Sequence, residues 1–556
     1  MRFLFFILFF VSQSHCFSPT SSFERDRYKQ LGLVWGLLKY HHPEISKGKY
    51  SWDNEFILLC DKVATVKNQQ EMNGLLVDFL AKYPTKNVRV RAANSGKLFT
   101  KNVDYGWIDE AVFGAQLTTL LRGISENANI TNYYASTDNL TKMLSFNNEK
   151  GFKDFNHAIT NHRLLLLFNF WNAIHYWNVN KYLMAEKWLD CLDAMTTEFL
   201  NCNTHFEFEM AKSKLISKLN DSHSFYLSKQ ITDKLFKFKP PFFVKNINDS
   251  LLVQYISNKA LAEKNGIELG DVICKINKED IGTVNNKRLQ PLLSASNPTF
   301  LKKWSHFLLW NDSDSLNITV LKKSGAVLNK KIQLYETIKD SLPEWISASS
   351  SEKYKNEAPG IGYVNLGSIT KNELKSAFTL FKNTKGIILD LRNYPSEMKE
   401  SDLTKFLFPK NKEFVKVLFP MENQPSVGEY DGQGLLKFIS DPFNTGTSNR
   451  EYYKGKVVLL VNRKTQSKAE YIGMAIQQAP NCITIGEQTA GSVMNVVEYT
   501  MSDATKIYFT GLGGFYPDGK EVQKNGLRLD VALKESAKNF DPDLYIKEAI
   551  KIIESH

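Results

Sequence analysis

Between Gly455 and Gly491 the chain reads GKVVLLVNRKTQSKAEYIGMAIQQAPNCITIGEQTAG, and this run leaves little freedom of fold. Val457 to Val461 is a short unbroken apolar stretch of the kind found in buried strands. A polar turn follows, then apolar residues at helical spacing from Lys468 to about Ala479, then a second apolar stretch closing at Gly486. Strand, helix and strand in that order imply a layered sheet with crossovers. Ser467 falls at the strand-to-helix turn. A hydroxyl there is held clear of the sheet, and the first N–H groups of the helix have no partner within it. That is where a nucleophile belongs. The same serine with Glu470 three residues on also reads as an N-cap with its capping-box glutamate, and taken alone the turn favours the cap.

The rest of the chain bears on that choice. A chain of 556 residues exceeds one hydrophobic core, so two to four domains are expected. The net charge of +11 comes from lysines scattered along the sequence, with no basic cluster interleaved with aromatics, so nucleic acid is not expected as a partner. Residues 1–16, MRFLFFILFFVSQSHC, have a basic start, a short apolar centre and small residues near the end. They read as a secretory signal peptide and place the mature chain in the periplasm or outside the cell. Lipid attachment at Cys16 is the lesser alternative, and no later stretch is apolar for long enough to span a bilayer. The remaining cysteines, Cys60, Cys191, Cys202, Cys274 and Cys482, are sparse and odd in number. Cys191 and Cys202 read equally as a pair or as buried thiols, and none has metal-ligand spacing, so no metal or cofactor is expected. Oligomeric state is left open.

Helical periodicity runs from Phe23 to about Lys82, followed by a polar passage from Asn87 to Asn148 with glycosylation sequons at Asn129 and Asn139. Long helices return from Asn161 to Leu219 and end in LNDSHSFY. From about Pro240 the pattern changes to short strands, and ALAEKNGIELGDVICKINKEDI gives a short helix, a Gly270-Asp271 turn and an apolar strand. This block resembles a PDZ domain, a small barrel that captures a peptide as an added strand, with an interruption near Ser294 to Trp310. After a charged linker the chain becomes α/β. The expected divisions are a leader at 1–16, an N-terminal helical domain at 20–150, a helical part of the core at 151–235, the PDZ-like domain at 236–336 and the main core at 337–556.

LNDSHSFY, the PDZ-like block, IILDLRNYPS, TQSKAE with IGEQTAG, and YPDGKEVQKNGLRLDV come in one order along the chain. Together they resemble the serine peptidase family of C-terminal processing proteases and the tricorn core, over roughly residues 160–556. The resemblance implies a crotonase-like (ClpP-like) core of repeated strand-strand-helix units within an α+β, multidomain chain. It gives Ser467 the nucleophile's role in a secreted serine endopeptidase acting on polypeptides. Processing proteases activate that serine with a lysine just after the G-E-x-T-G turn, where this chain has Ser492. The tricorn branch uses a histidine preceded by serine, which Ser222 and His223 match, with Ser222 orienting or polarising the ring. Histidine's ordinary pKa of about 6.5 suits it to take and return a proton. The relay's glutamate aligns with Gln523, leaving Glu521 as the candidate third member. The oxyanion donors expected by position are the backbone N–H groups of Lys468 and Ser396, and the Lys468 charge would favour acidic substrates. The opposing reading is a weak or inactive protein on the same fold, binding peptides or apolar ligands, which the missing lysine, the altered RNYPS turn and Gln523 favour.

Overall fold

The computed structural model describes residues 22–83, 85, 102, 104–127, 133–138, 141–336, 352–421, 427–430 and 443–555. The leader at 1–16 and the sequons at Asn129 and Asn139 lie outside these residues.

A six-stranded sheet forms the centre of the C-terminal half. Its order is Tyr354–Ala358, Ile361–Asn365, Gly386–Asp390, Lys456–Val461, Cys482–Gly486 and Val531–Ala532, parallel after the first pair. Alternate residues of a strand face opposite sides of the sheet, and the packing follows that period. Ile387, Leu389, Val457, Leu459 and Val461 join the core under the helices Lys371–Leu380 and Lys468–Ile476. Ile388, Val458 and Leu460 join Tyr545, Ala549 and Ile553 of the final helix, Leu544–Glu554, on the other face. A parallel sheet covered on both faces has its open ground beyond the carboxyl ends of its strands. There the register sets Asp390 beside Leu460 and Val461 beside Gly486, so the turns that follow these strands share one edge.

The helices Ser22–His41, Trp52–Thr65, Thr160–Trp177, Cys191–Asn201 and His205–Ser217 contribute to one continuous apolar cluster, so packing shows no break at the expected boundary near residue 150. Two of them meet at close range. A Cβ built on Gly32 would lie 2.1 Å from Phe168, and one on Gly36 would lie 2.0 Å from Asn172, whose amide donates to the Gly32 carbonyl at 3.0 Å. The polar passage expected from Asn87 to Asn148 needs correction, because it contains the helix Glu110–Ser125, kinked at Gly114. Its apolar stripe, Phe113, Leu117, Leu121 and Ile124, is interrupted in the sequence by threonines and glycines. All five cysteines among the described residues are free, so Cys191 and Cys202 are separate thiols. His41 and His42 turn to different partners, Tyr105 and the Tyr83 carbonyl.

The hairpin Val496–Thr500 and Lys506–Thr510 is the unexpected member of the helical cluster. It leaves the α/β half and inserts Tyr499, Ile507 and Phe509 among the helices. At its turn Lys212, almost wholly buried, donates to Asp503 at 2.5 Å and to Glu209 at 2.9 Å. A buried ammonium ion needs such partners, since its removal from water costs several kcal/mol on the order-of-magnitude scale.

Residues 242–333 form an antiparallel sheet in the order Phe242–Ile247, Ser250–Ile256, Val272–Ile276, Ser315–Leu321 and Val327–Gln333. The Gly270-Asp271 turn is held by the buried Asp271 carboxylate, which accepts from Lys322 at 2.7 Å and from the Glu268 amide at 2.8 Å. The interruption at Ser294 to Trp310 is part of this module's core. Leu301, Phe307, Leu308 and Leu309 pack into it, and the Arg288 guanidinium donates to the carbonyls of Leu308 and Trp310 at 2.9 and 2.7 Å.

Candidate active site

Ser467 has φ 57° and ψ −123°, outside the conformations that a side chain with a Cβ adopts at low cost. The turn is held there from several sides. The Thr465 hydroxyl donates to the Leu391 carbonyl at 3.0 Å, the Ala490 N–H donates to the Thr465 carbonyl at 3.0 Å, and the Ser467 N–H donates to the Ser492 carbonyl at 3.1 Å. Ser467 heads the helix Lys468–Ile476 as its N-cap residue; its hydroxyl makes no full capping hydrogen bond, although Ser467 and Glu470 stand in the reciprocal arrangement of a capping box. The contact runs the other way, from the Ser467 N–H to the Glu470 carboxylate at 3.3 Å. A strained residue at the junction of a strand and a helix is the arrangement of an elbow that presents its side chain.

Glu470 is wholly buried and ties the helix to the next loop. It accepts from the Thr489 hydroxyl at 2.5 Å, the Gly491 N–H at 2.7 Å and the Ser492 N–H at 2.9 Å. Burial pushes its carboxyl up to about 7, against the pull of these donors. Gly486, at the strand end that feeds this loop, has φ 141°, and a Cβ there would fall 1.9 Å from the Val461 carbonyl oxygen.

The Asp221-Ser222-His223 turn docks on the same loop. The Ser222 hydroxyl donates to the Ala490 carbonyl at 2.9 Å and accepts from the Ser296 N–H at 2.9 Å, so it clamps two loops to the turn. The Ser222 carbonyl accepts from the Gln466 amide at 3.0 Å, which ties the residue before His223 to the residue before Ser467. His223 is nearly buried, and burial lowers its pKa while Asp221 raises it.

Hydrogen-bond accounting fixes the ring's tautomer. The Thr510 oxygen lies 2.9 Å from Asp221 Oδ1 and 2.9 Å from His223 Nδ1. An ionised carboxylate only accepts, so the single hydroxyl proton of Thr510 goes to Asp221, and the Thr510 oxygen must accept from His223 Nδ1–H. Nε2 is left with its lone pair, buried and without a partner. Asp221 also accepts from the Thr510 N–H at 2.5 Å and the His223 N–H at 3.0 Å, which ties the turn to the end of the hairpin. Gln523 reaches the same Thr510 oxygen at 3.4 Å.

Glu521 stands elsewhere: it accepts from the Tyr182 hydroxyl at 3.1 Å, and the group on His223 Nδ1 is Thr510. Sequence reasoning missed Thr510, whose only signal was its place at the end of a strand, and gave Asp221 no role. The Ser396 N–H donates within its own turn to the Tyr394 carbonyl at 3.0 Å. The Lys468 ammonium donates to the Ser396 carbonyl at 2.7 Å, which draws the two expected oxyanion loops together. The Ser492 hydroxyl, at the position of the missing lysine, is buried without a partner. Among the described residues no cluster of side chains could hold a metal ion.

The elbow at Ser467 and the turn that carries His223 both dock on the loop 489–492, through the Ser467 N–H to the Ser492 carbonyl and the Ser222 hydroxyl to the Ala490 carbonyl. Residues 360–533 match the model of peptidase family S41, and the chain carries a domain of that family. It is 25% identical over 329 residues to the carboxy-terminal processing protease CtpA of Bacillus subtilis (strain 168), covering 57% of this chain and 62% of that protein. It is likewise 25% identical over 283 residues to the chloroplastic C-terminal processing peptidase of Tetradesmus obliquus, covering 49% of this chain and 54% of that one. The chain therefore spans under two thirds of the length of these relatives. In overall shape it is similar to mature CPAF, with a TM-score of 0.53 at 11% identity, over 70% of this chain and 95% of that one.

Proposed function

We propose that this protein is a serine peptidase in which Ser467 attacks a peptide carbonyl and His223 takes its proton through Nε2. The acyl-enzyme is then released by water, with the proton returned through the same nitrogen. The observation that carries this reading is the tautomer of His223. With Nδ1–H committed to Thr510, the ring presents a lone pair, the state a general base needs. Asp221 and Thr510 are its positioning residues: they hold the ring and stabilise the imidazolium that forms, the work done by the carboxylate in other serine hydrolases. The Lys468 N–H, at the first helical position, is the oxyanion donor, because that group has no acceptor within the helix. The central sheet and its helices are read as crotonase-like, and the module at 236–336 as a PDZ domain that presents the chain to be cut.

A serine-reactive fluorophosphonate tests the reading. Labelling should fall on Ser467 and be lost in His223→Ala. Unchanged labelling in His223→Ala, or none in the parent protein, favours a binding protein on the same fold. The same preparation, recovered from the medium or periplasm and sequenced from its N-terminus, tests export and removal of residues 1–16. No helix among the described residues is long and apolar enough to cross a membrane.

A further inference from the structure

A cavity of about 510 Å³ in the helical body lies beside the last turn of the helix Thr160–Trp177 and shares no lining residue with the candidate active site. Met184, Trp188 and Leu189 give it an apolar side, and the exposed segment 185–187 marks its rim. Lys181 lines it as well, although the residue is only 7% exposed. The other deeply buried lysines, Lys39 and Lys212, sit against carboxylates, at 2.8 Å from Glu149 and 2.9 Å from Glu209. Lys181 makes no ion pair among the described residues. Its side-chain nitrogen instead donates to the carbonyl of His175 at 2.8 Å and lies 3.3 Å from Nδ1 of the same residue.

The donors and acceptors here can be counted. His175 Nε2 lies 3.1 Å from the Asp104 carbonyl, which only accepts, so Nε2 carries the proton. The ring is stacked on Trp171 with 4.6 Å between centroids, and burial holds its pKa well below the ordinary value. A neutral ring then offers Lys181 the lone pair of Nδ1. An ammonium ion brings three N–H donors to these two acceptors and leaves the third without a protein partner. A neutral amine brings two, both are used, and its own lone pair is left over. Burial pulls the same way and lowers Lys181 to about 7, with Asp104 opposing it. The titratable groups around it are Asp104, His175, Tyr182, Glu186 and Lys187, with His41 behind the ring.

We propose that Lys181 is a nucleophilic amine on which this cavity captures a small apolar aldehyde as an imine. The Lys181 lone pair attacks the carbonyl carbon and forms the C–N bond. One amine proton passes to the carbonyl oxygen by way of His175 Nδ1. The resulting carbinolamine loses its hydroxyl together with the second amine proton as water, which leaves C=N. No oxidant or reductant enters, and water restores the amine. Met184, Trp188 and Leu189 cover the hydrocarbon part of the ligand. Carbon dioxide suits the same amine less well, because a carbamate puts a new negative charge in a buried place near Asp104, whereas an imine adds none. This site stands independently of the peptidase reading.

Reductive trapping on the full-length protein tests it. The protein is incubated with hexanal and cyanoborohydride at about pH 7, where the reductant serves only to fix the imine as a stable secondary amine, and the hexyl adduct at each lysine is quantified by mass spectrometry. Lys181 should be modified at least about tenfold faster than the exposed lysines, whose amines stay protonated to about pH 10. Lys181→Arg should remove the fast site and leave the slow adducts unchanged. Modification of Lys181 no faster than that of the exposed lysines overturns the proposal, and this comparison is made within the parent chain, so it does not depend on the folding of a variant. Trapping of glyoxylate, a charged aldehyde, as fast as hexanal overturns the apolar ligand class. A carbamate signal from isotopically labelled bicarbonate that blocks the hexanal adduct at Lys181 overturns the proposal in favour of carbon dioxide.

Discussion

The two halves of the candidate site are built in different ways. Ser467 is prepared by its own neighbourhood: the elbow, the helix it heads and the loop reached by Glu470 all fall between Gly455 and Ser492. His223 is prepared by segments far away in the chain, through Thr510 on a hairpin, Gln523 after it and the Ser296 clamp on Ser222. A nucleophile needs a strained backbone, which local sequence can impose. A base needs a chosen tautomer and a buried ring, which only a complete surrounding can impose.

The largest expected effect is on the local half. Ser467→Ala should lower the rate of peptide cleavage by at least about 10⁴-fold with little change in peptide affinity. A residual rate within tenfold of the parent would break the assignment.

Glu470 tests whether the local half depends on a buried carboxyl. A carboxyl raised from its ordinary range to about 7 holds its proton in the folded state where the unfolded chain has lost it. Its contribution to stability is therefore greatest at low pH and falls as pH rises through about 4.5 to 7, by about 3 kcal/mol. Glu470→Gln should be less stable overall and lack this fall. Denaturant melts of both proteins across that range check it, and parallel pH profiles would show that the carboxyl is not the cause.

Thr510→Val strikes the remote half alone. It removes the acceptor that fixes His223 Nδ1–H and should cost about 30-fold in kcat, about 2 kcal/mol, while KM stays close to the parent's. Thr510→Ser, which keeps the hydroxyl, should recover most of the loss. A pure packing role for Thr510 predicts the reverse order, with valine the better tolerated.

Asp221→Asn sharpens the same point through pH. His223 is held below its ordinary value by burial, with Asp221 pulling upward, so the acid limb of kcat/KM should lie below about 6.5 and move lower in the variant. Because the folded ring resists protonation, its contribution to stability is present above about 6.5 and is lost as pH falls below it. A limb that moves upward in Asp221→Asn would contradict the sign of this coupling. Smallest of all is Lys468→Ala. Its ammonium bonds a carbonyl at the protein surface, and cleavage of acidic peptides should change by less than about twofold.

Much of this was legible in the chain. The strand and helix limits around Ser467 match the apolar runs to within a few residues, because a buried parallel strand and the helix covering it are both written in local periodicity. His223 was legible as a turn histidine next to Ser222, though its partner was not. Position along the chain points to Glu521, yet it faces Tyr182, since residues two apart in an extended segment can still be turned to different neighbours by the loop that follows. The helix at Glu110–Ser125 had its stripe in plain view, broken for the eye by Gly114.

What the sequence determined by itself is therefore the layered core, the elbow at Ser467 and the set of side chains on which the candidate site draws. Tertiary structure alone decided that the hairpin 496–510 crosses into the helical body and brings Thr510 to Asp221 and His223. It also decided that the Asp104 carbonyl holds the ring of His175 beside Lys181. Periodicity reports what a segment buries. Which partner it buries it against depends on contacts hundreds of residues apart, and no local pattern encodes them.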